Sequence, residues 1–358
     1  MRAPESCGKS APVNRTESQK RRFRPSGALM AFCALLGFFA ATGAARSDDG
    51  PEPFPAWLDN LRAEALTKGI SQQTVEIALG DVELIPRVIE LDRKQPEFTQ
   101  TLADYLEKRV TDDIVAQGKA LLAENRELLA KVHAKYGVQP RFLVALWGIE
   151  TKFGKYTGSF GVIPALVTLA YDDRRKDKFR AELFDALRIV DAGDVEAGQM
   201  TGSWAGAMGQ NQFMPSVFLK FAVDFDGNGK RDIWNSLPDM FASAANYLSE
   251  SGWKGDQTWG REVRLPPNFD HALADPFDHH HSNGDMRKSL SEWRTLGVRR
   301  ADGGPLPTRD LSASLIEPDG EGGKAYLVYD NFRVLLTWNP AFLFAVTVGT
   351  LADRIGDD

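Results

Sequence analysis

Apolar residues recur at helical spacing from Ala56 to about Lys135. Trp57, Leu58, Leu61, Ala65 and Leu66 trace one face, after an extended lead-in at Pro53 and Pro55 and before a stop at Gly69. In "GISQQTVEIALG", Ser71 suits an N-cap and Gly80 a C-cap. Leu106, Val110, Ile114, Leu121, Leu122, Leu128, Leu129 and Val132 then stripe the charged segment from Leu102 to Tyr136, a pattern of helices packed on one another. Helices are also predicted over Arg141–Lys152, Pro164–Leu169, Phe179–Val190, Met240–Leu248 and Ala341–Ile355. Beyond Gly252 prolines and glycines become frequent, and "REVRL", "SASLIE" and "AYLVY" read as short strands. The fold class is therefore mainly α, of α+β type.

The first 45 residues stand apart. Lys20, Arg21, Arg22 and Arg24 precede an uncharged stretch from Ala28 to Ala44, and small residues lead into Arg46-Ser47-Asp48-Asp49. Basic, apolar and small-residue regions in that order describe a signal peptide for export to the periplasm. The apolar stretch is short for a membrane anchor, which needs about 20 residues. A lipoprotein is the weaker reading, because bulky Phe32 precedes Cys33. Cys7 and Cys33 both fall in this part, so the mature chain has no cysteine chemistry. Residues 1–45 carry seven Lys/Arg against two Asp/Glu, and their removal takes the net charge from −6 to −11. That balance does not suit nucleic acid or anionic lipid as a partner.

Candidate chemistry starts at "ALWGIETKFGKYTGSFG" (Ala145–Gly161). On a helix, Leu143, Trp147 and Glu150 share a face. A carboxyl beside an indole is partly desolvated, which raises its pKa toward that of a general acid. The plainer reading is an exposed glutamate paired with Lys152 or Lys155. The tract "TGSWAGAMGQNQFMPSVF" shifts the balance. Its glycines allow close backbone approach, Gln210, Asn211 and Gln212 bring amide donors and acceptors, and Met208, Phe213 and Met214 are apolar neighbours. Amides beside aromatics suit a sugar-binding cleft.

"WGIETKFGKYTGSFGVIPALVTLAYDDRR" and "GSWAGAMGQNQFMPSVF" closely resemble the membrane-bound lytic murein transglycosylase B family. "LDRKQPEF", "DGNGKRDIWNSL" and "YDNFRVLLTWN" extend the resemblance over nearly the whole mature chain. It implies a lysozyme-like helical core and cleavage of peptidoglycan between N-acetylmuramic acid (MurNAc) and N-acetylglucosamine (GlcNAc), with closure to a 1,6-anhydro sugar. Its segments would be 1–45 signal peptide, 46–135 N-terminal helical domain, 136–255 catalytic core, 256–329 small β-containing domain and 330–358 a C-terminal segment returning to the core. Glu150 takes the place of the family's catalytic glutamate, Gln212 that of a cleft glutamine and Asn339 that of a cleft asparagine. Tyr156, Met208 and Phe213 complete the expected substrate-binding set. Two departures concern the site: Asn211 stands where relatives often have a small or hydroxylated residue, and Phe344 where many have tyrosine. Peptidoglycan strands are the implied partner, with cell-wall synthesis or division proteins as possible associates.

Neither motif holds an obvious second catalytic acid, and Asp172 and Asp173 beside Arg174 and Arg175 suggest structural ion pairs. A lone acid fits substrate-assisted chemistry better than the two-carboxylate scheme of most glycosidases. A muramidase-type hydrolase and a non-catalytic peptidoglycan- or calcium-binding scaffold are the alternatives. "DFDGNGKRDIWN" approximates an EF-hand loop, with Asp224, Asp226 and Asn228 at positions 1, 3 and 5, Gly229 at 6, the Lys230 carbonyl at 7 and Asp232 at 9. Asn235 replaces the usual glutamate at position 12, and the resemblance points to Asp239 as the closing acid. A structural Ca²⁺ is expected there, with no cofactor needed for the chemistry. His279-His280-His281 reads as a solvated loop.

Overall fold

Short polar side chains and prolines decide where most helices begin. The computed structural model describes residues 52–94, 100–276 and 286–356. The expected signal peptide, with Cys7 and Cys33, and the three histidines at 279–281 lie outside the described residues. Helix α1 (Phe54–Thr67) has proline in its first turn, and Gly69 (φ +85°) follows its end. The Ser71 side chain accepts from the Thr74 N–H and starts α2 (Gln72–Leu79). Helix α3 (Pro86–Arg93) starts on its proline, while Thr101 and Thr111 cap α4 (Leu102–Arg109) and α5 (Asp112–Glu124). Helix α6 (Arg126–Tyr136) ends at left-handed Gly137.

Helix α7 (Pro140–Thr151) is buried continuously from Phe142 to Gly148, so it is apolar all round and runs through the core. A two-stranded antiparallel ribbon, β1 (Phe160–Gly161) with β2 (Thr201–Gly202), flanks α8 (Val162–Tyr171) and α9 (Lys176–Asp191). Helices α10 (Pro215–Phe221) and α11 (Leu237–Glu250) follow. The strands β3 (Gly260–Arg264), β4 (Lys288–Ser289), β5 (Arg299–Arg300), β6 (Ser312–Ile316) and β7 (Ala325–Val328) form an antiparallel sheet in the order β4-β6-β7-β3-β5. Helix α12 (Leu290–Thr295) begins on a Ser289–Glu292 capping box. The chain ends in α13 (Asp330–Trp338) and α14 (Phe342–Gly356).

One contiguous core runs from Leu61, Leu79, Val88, Leu102 and Leu129 through Phe142, Leu166 and Phe241 to Val346 and Leu351. The N-terminal helices thus close no core of their own, and the boundary expected at residue 135 does not divide the packing. A smaller core of Val263, Leu290, Trp293, Leu315, Leu327 and Tyr329 belongs to the sheet. Asp172 and Asp173 do pair structurally, with Arg93 and Lys176, while Arg174 and Arg175 both pair with buried Asp92. Among the described residues no single helix is long and apolar enough to cross a membrane.

The C-terminal helices are drawn back onto α7. Buried Asn331 accepts from the Lys254 N–H at 2.7 Å and donates to the Lys254 and Gln257 carbonyls at 2.9 Å, fixing the start of α13. The Trp259 indole lies against Gly349 of α14 and donates to Asp353, which also pairs with Arg141 of α7 at 2.9 Å. This return carries Trp338 across the molecule to Glu150.

Candidate active site

Helix α7 stops in a strained elbow. Lys152 (φ +48°) and Phe153 (φ +58°) are both left-handed, and Gly154 (φ +80°) continues the turn. Such a conformation costs a non-glycine residue on the order of 1 kcal/mol and persists only where surrounding packing enforces it. Here the Phe153 ring stands edge-on to Trp147, 5.6 Å between centroids. It also lies over Gly148, where any Cβ would come within 2.8 Å of the ring. Trp147 Nε1 donates to Gln210 Oε1 at 2.8 Å, and Gln210 Nε2 donates to the Trp234 carbonyl at 2.9 Å. Gln210 is therefore a bolt between the two motifs. Asn211 is likewise buried and donates to the Met240 carbonyl, so neither amide offers itself to a sugar.

Glu150 is the penultimate residue of α7. Its carboxyl is partly buried, and Oε1 accepts from Trp338 Nε1 at 2.7 Å. Burial pushes its pKa from the ordinary 4.5 up to about 7, with the Trp338 hydrogen bond pulling the other way. Trp338 is held against Phe213 and Tyr247, with centroids 5.2 and 4.9 Å apart. A cavity of about 740 Å³ opens at Glu150, walled by Lys108 and Arg109 of α4, Asp113 and Ile114 of α5, and Lys152 and Tyr156 of the elbow. Arg109 lies over the Tyr105 ring at 3.8 Å. Burial raises the pKa of the Tyr105 phenol against the opposing pull of Arg109, and the nearby Glu150 charge adds a smaller rise.

The predicted site residues divide by burial. Glu150 and Tyr156 line the same cavity, and Tyr156 is 57% exposed. Gln212 (φ +51°) donates its amide to the Thr157 and Gly209 carbonyls, both at 3.0 Å, and so ties its tract to the elbow. Met208 requires a correction. It is fully buried and exchanges backbone hydrogen bonds with Phe213 across a tight turn, which leaves it no surface for a sugar. Phe213 is also buried, so its ring backs Trp338 rather than facing an open groove. Asn339 ends α13, and its Oδ1 accepts from the Ala341 N–H at 3.0 Å beside the start of α14. Phe344, where a tyrosine was the comparison, is buried. Sequence reasoning missed Trp338, Lys108 and Arg109. Trp338 lies in the quoted "YDNFRVLLTWN", yet it is 188 residues from Glu150 and no local period links the two.

A second cluster lies in the predicted EF-hand-like loop. Asp224, Asp226 and Asp239 bring carboxylate oxygens within 4.8 Å of one another. Asp239 is fully buried, accepting from the Phe225 N–H at 2.7 Å and the Asp232 N–H at 2.9 Å, and burial raises its pKa. The Gly229 N–H, with those of Gly227 and Asn228, holds the Asp224 carboxyl low. Asn228 Oδ1 accepts from the Lys230 N–H. Gathered hard oxygens, one of them on a buried acid, fit a divalent cation such as Ca²⁺.

A desolvated carboxyl at the end of a buried helix, opening into a cleft of a mainly helical protein, defines a lysozyme-like glycan-cleaving protein. Residues 53–353 match the transglycosylase SLT domain family. The chain belongs to that family and is a lytic murein transglycosylase. It is 30% identical over 303 residues to the membrane-bound lytic murein transglycosylase B of Escherichia coli K12, covering 80% of this chain and 79% of the relative. SltB3 of Pseudomonas aeruginosa, solved in complex with NAG-anhNAM-pentapeptide, is 46% identical with a TM-score of 0.80, over 85% of this chain and 80% of that one. Escherichia coli Slt35, solved with calcium, is 27% identical with a TM-score of 0.68, over 83% and 92% of the two chains.

Proposed function

We propose that the chain cleaves the β-1,4 bond between MurNAc and GlcNAc in peptidoglycan, with Glu150 as the single acid and base and 1,6-anhydro-MurNAc as the new end. The observation that carries this reading is the Glu150 carboxyl, pushed up to about 7 and held through one oxygen by Trp338. With Oε1 accepting from the indole, the proton resides on Oε2, free for transfer to the bridging oxygen. The C1–O bond breaks and the leaving sugar departs with that proton. The substrate's 2-acetamido group stabilises the cationic C1. Ionised Glu150 then takes the proton of the C6 hydroxyl as that oxygen bonds to C1, and the enzyme returns to its starting state. No water enters, so no second carboxylate is required. Tyr156, the free acceptor of Gln212 and the Asn339 amide would contact the strand. The relative solved with an anhydro sugar supports this outcome. The N-terminal pattern supports export to the periplasm, where the substrate lies.

The test is mass spectrometry of muropeptides from purified sacculi. Anhydro termini are expected; reducing ends alone would make the enzyme a hydrolase. Asp113, exposed in the first turn of α5 and lining the same cavity, is the carboxylate that a hydrolase would have to recruit.

For the loop we propose a structural Ca²⁺ held by Asp224, Asp226, Asn228, the Lys230 carbonyl and Asp239, as the calcium-bound relative suggests. Calcium would fix the start of α11 and neutralise the crowded acids. Chelator-stripped protein should gain about 2.7 kcal/mol with Ca²⁺ at about a hundred times its Kd. Asp239→Asn should abolish most of that gain. Calorimetry showing neither binding heat nor a Tm shift would rule the site out.

A further inference from the structure

Three cations wall the Glu150 cavity: Lys108 and Arg109 from the last turn of α4, and Lys152 from the elbow. None forms an ion pair among the described residues, although the chain as a whole is acidic and most arginines elsewhere are matched to carboxylates. Lys152 is further marked by its backbone. It is left-handed at φ +48°, where glycine would fit without strain, and it is exposed. That strain places an ammonium at the rim, 5.4 Å from the centroid of the exposed Tyr156 ring. Lys155 approaches the same ring at 5.5 Å. The carboxylates in the cavity are Glu150, whose working form is protonated, and Asp113 on the α5 side. The cavity therefore presents an excess of positive charge over an aromatic platform, next to the reacting acid.

Murein matches that charge with the stem peptide, which leaves the lactyl group of MurNAc and carries free carboxylates; the sugar ring itself is neutral. We propose that Lys108, Arg109 and Lys152 form a carboxylate-binding subsite for the stem peptide beside the scissile bond, and that it makes the enzyme selective for strands with free peptide carboxylates. This rests on the transglycosylase reading above. Cations at the end of α4 also complement its dipole, but that role alone would change stability and not substrate choice.

The test compares sacculi with free peptide carboxylates against the same sacculi capped as amides by carbodiimide coupling to ammonia. The full chain should prefer the free acids in kcat/KM by roughly five- to tenfold, as two exposed charge pairs allow. The preference should shrink as salt rises through the range that screens exposed charges. The Lys108→Gln/Lys152→Gln double variant should bring the ratio close to one, and the Lys108→Glu/Lys152→Glu double variant should invert it. Lys152→Gly relieves the backbone and keeps the fold, so it separates lost charge from lost structure; it too should lower the ratio. Equal cleavage of both sacculi by wild type, or full discrimination by the variants, would overturn the subsite while leaving the enzyme reading intact. Absence of anhydro products from either substrate would instead overturn the enzyme reading.

Discussion

Glu150→Gln should lose turnover by about 10³- to 10⁴-fold, the upper range for removing a general acid and base. An amide cannot give a proton to the bridging oxygen or take one from the C6 hydroxyl. It can still accept from the Trp338 indole, so the site should keep its shape and its grip on the strand. Asp113→Asn should leave most activity in place. Equal loss from both variants would mean that two carboxylates share the work and the product is hydrolytic. The same glutamine should stabilise the protein, and the sign follows from linkage. Glu150 binds its proton more tightly when folded, at about 7 against an ordinary 4.5. Folding therefore loses stability as pH rises from about 4.5 to 7, by up to about 3 kcal/mol above that window. Glutamine carries no such penalty. Its Tm should match wild type near pH 4.5 and exceed it at pH 8.5; a difference independent of pH would show that the carboxyl is not desolvated.

That cost of burying an acid separates what the sequence made legible from what it hid. Periodicity located α1, α7, α9 and α14 because each has one continuous apolar face or is apolar throughout, and Ser71 and Gly69 marked ends through local backbone chemistry. Glu150 was legible because it shares a helix and a motif with Trp147. Helix α13 was hidden, since "AYLVYDNFRVLL" is apolar enough to read as strand until Asn331 turns it. Short α10 was hidden within a tract of small and aromatic residues. Met208 and Gln210 were misjudged for one reason: a tight turn shows its residue types in sequence but not which of them face inward. The Trp338 contact could not be read at all, because it depends on α13 crossing the core.

Trp338→Phe tests that contact. The indole N–H is the side-chain donor to Glu150 and favours the ionised form, so it holds the carboxyl below the value burial alone would give. Phenylalanine keeps an aromatic ring between Phe213 and Tyr247 but removes the donor. The Glu150 pKa should then rise further, by about one unit, since a hydrogen bond to a charged group contributes about 1.5–3 kcal/mol. On the proposed mechanism the free enzyme needs protonated Glu150, so kcat/KM should fall as pH rises through this pKa, and the basic limb should move to higher pH in the variant. Turnover at the optimum should drop roughly tenfold, because the proton is no longer confined to Oε2 and the carboxyl can rotate. Tyr247→Phe is the control. It disturbs the same cluster by removing the hydroxyl that donates to the Thr337 carbonyl at 2.6 Å, without touching the carboxyl. It should lower kcat and leave the limb in place. If both variants shift the limb equally, packing rather than the indole hydrogen bond sets the acid, and the assignment of the proton to Oε2 fails with it.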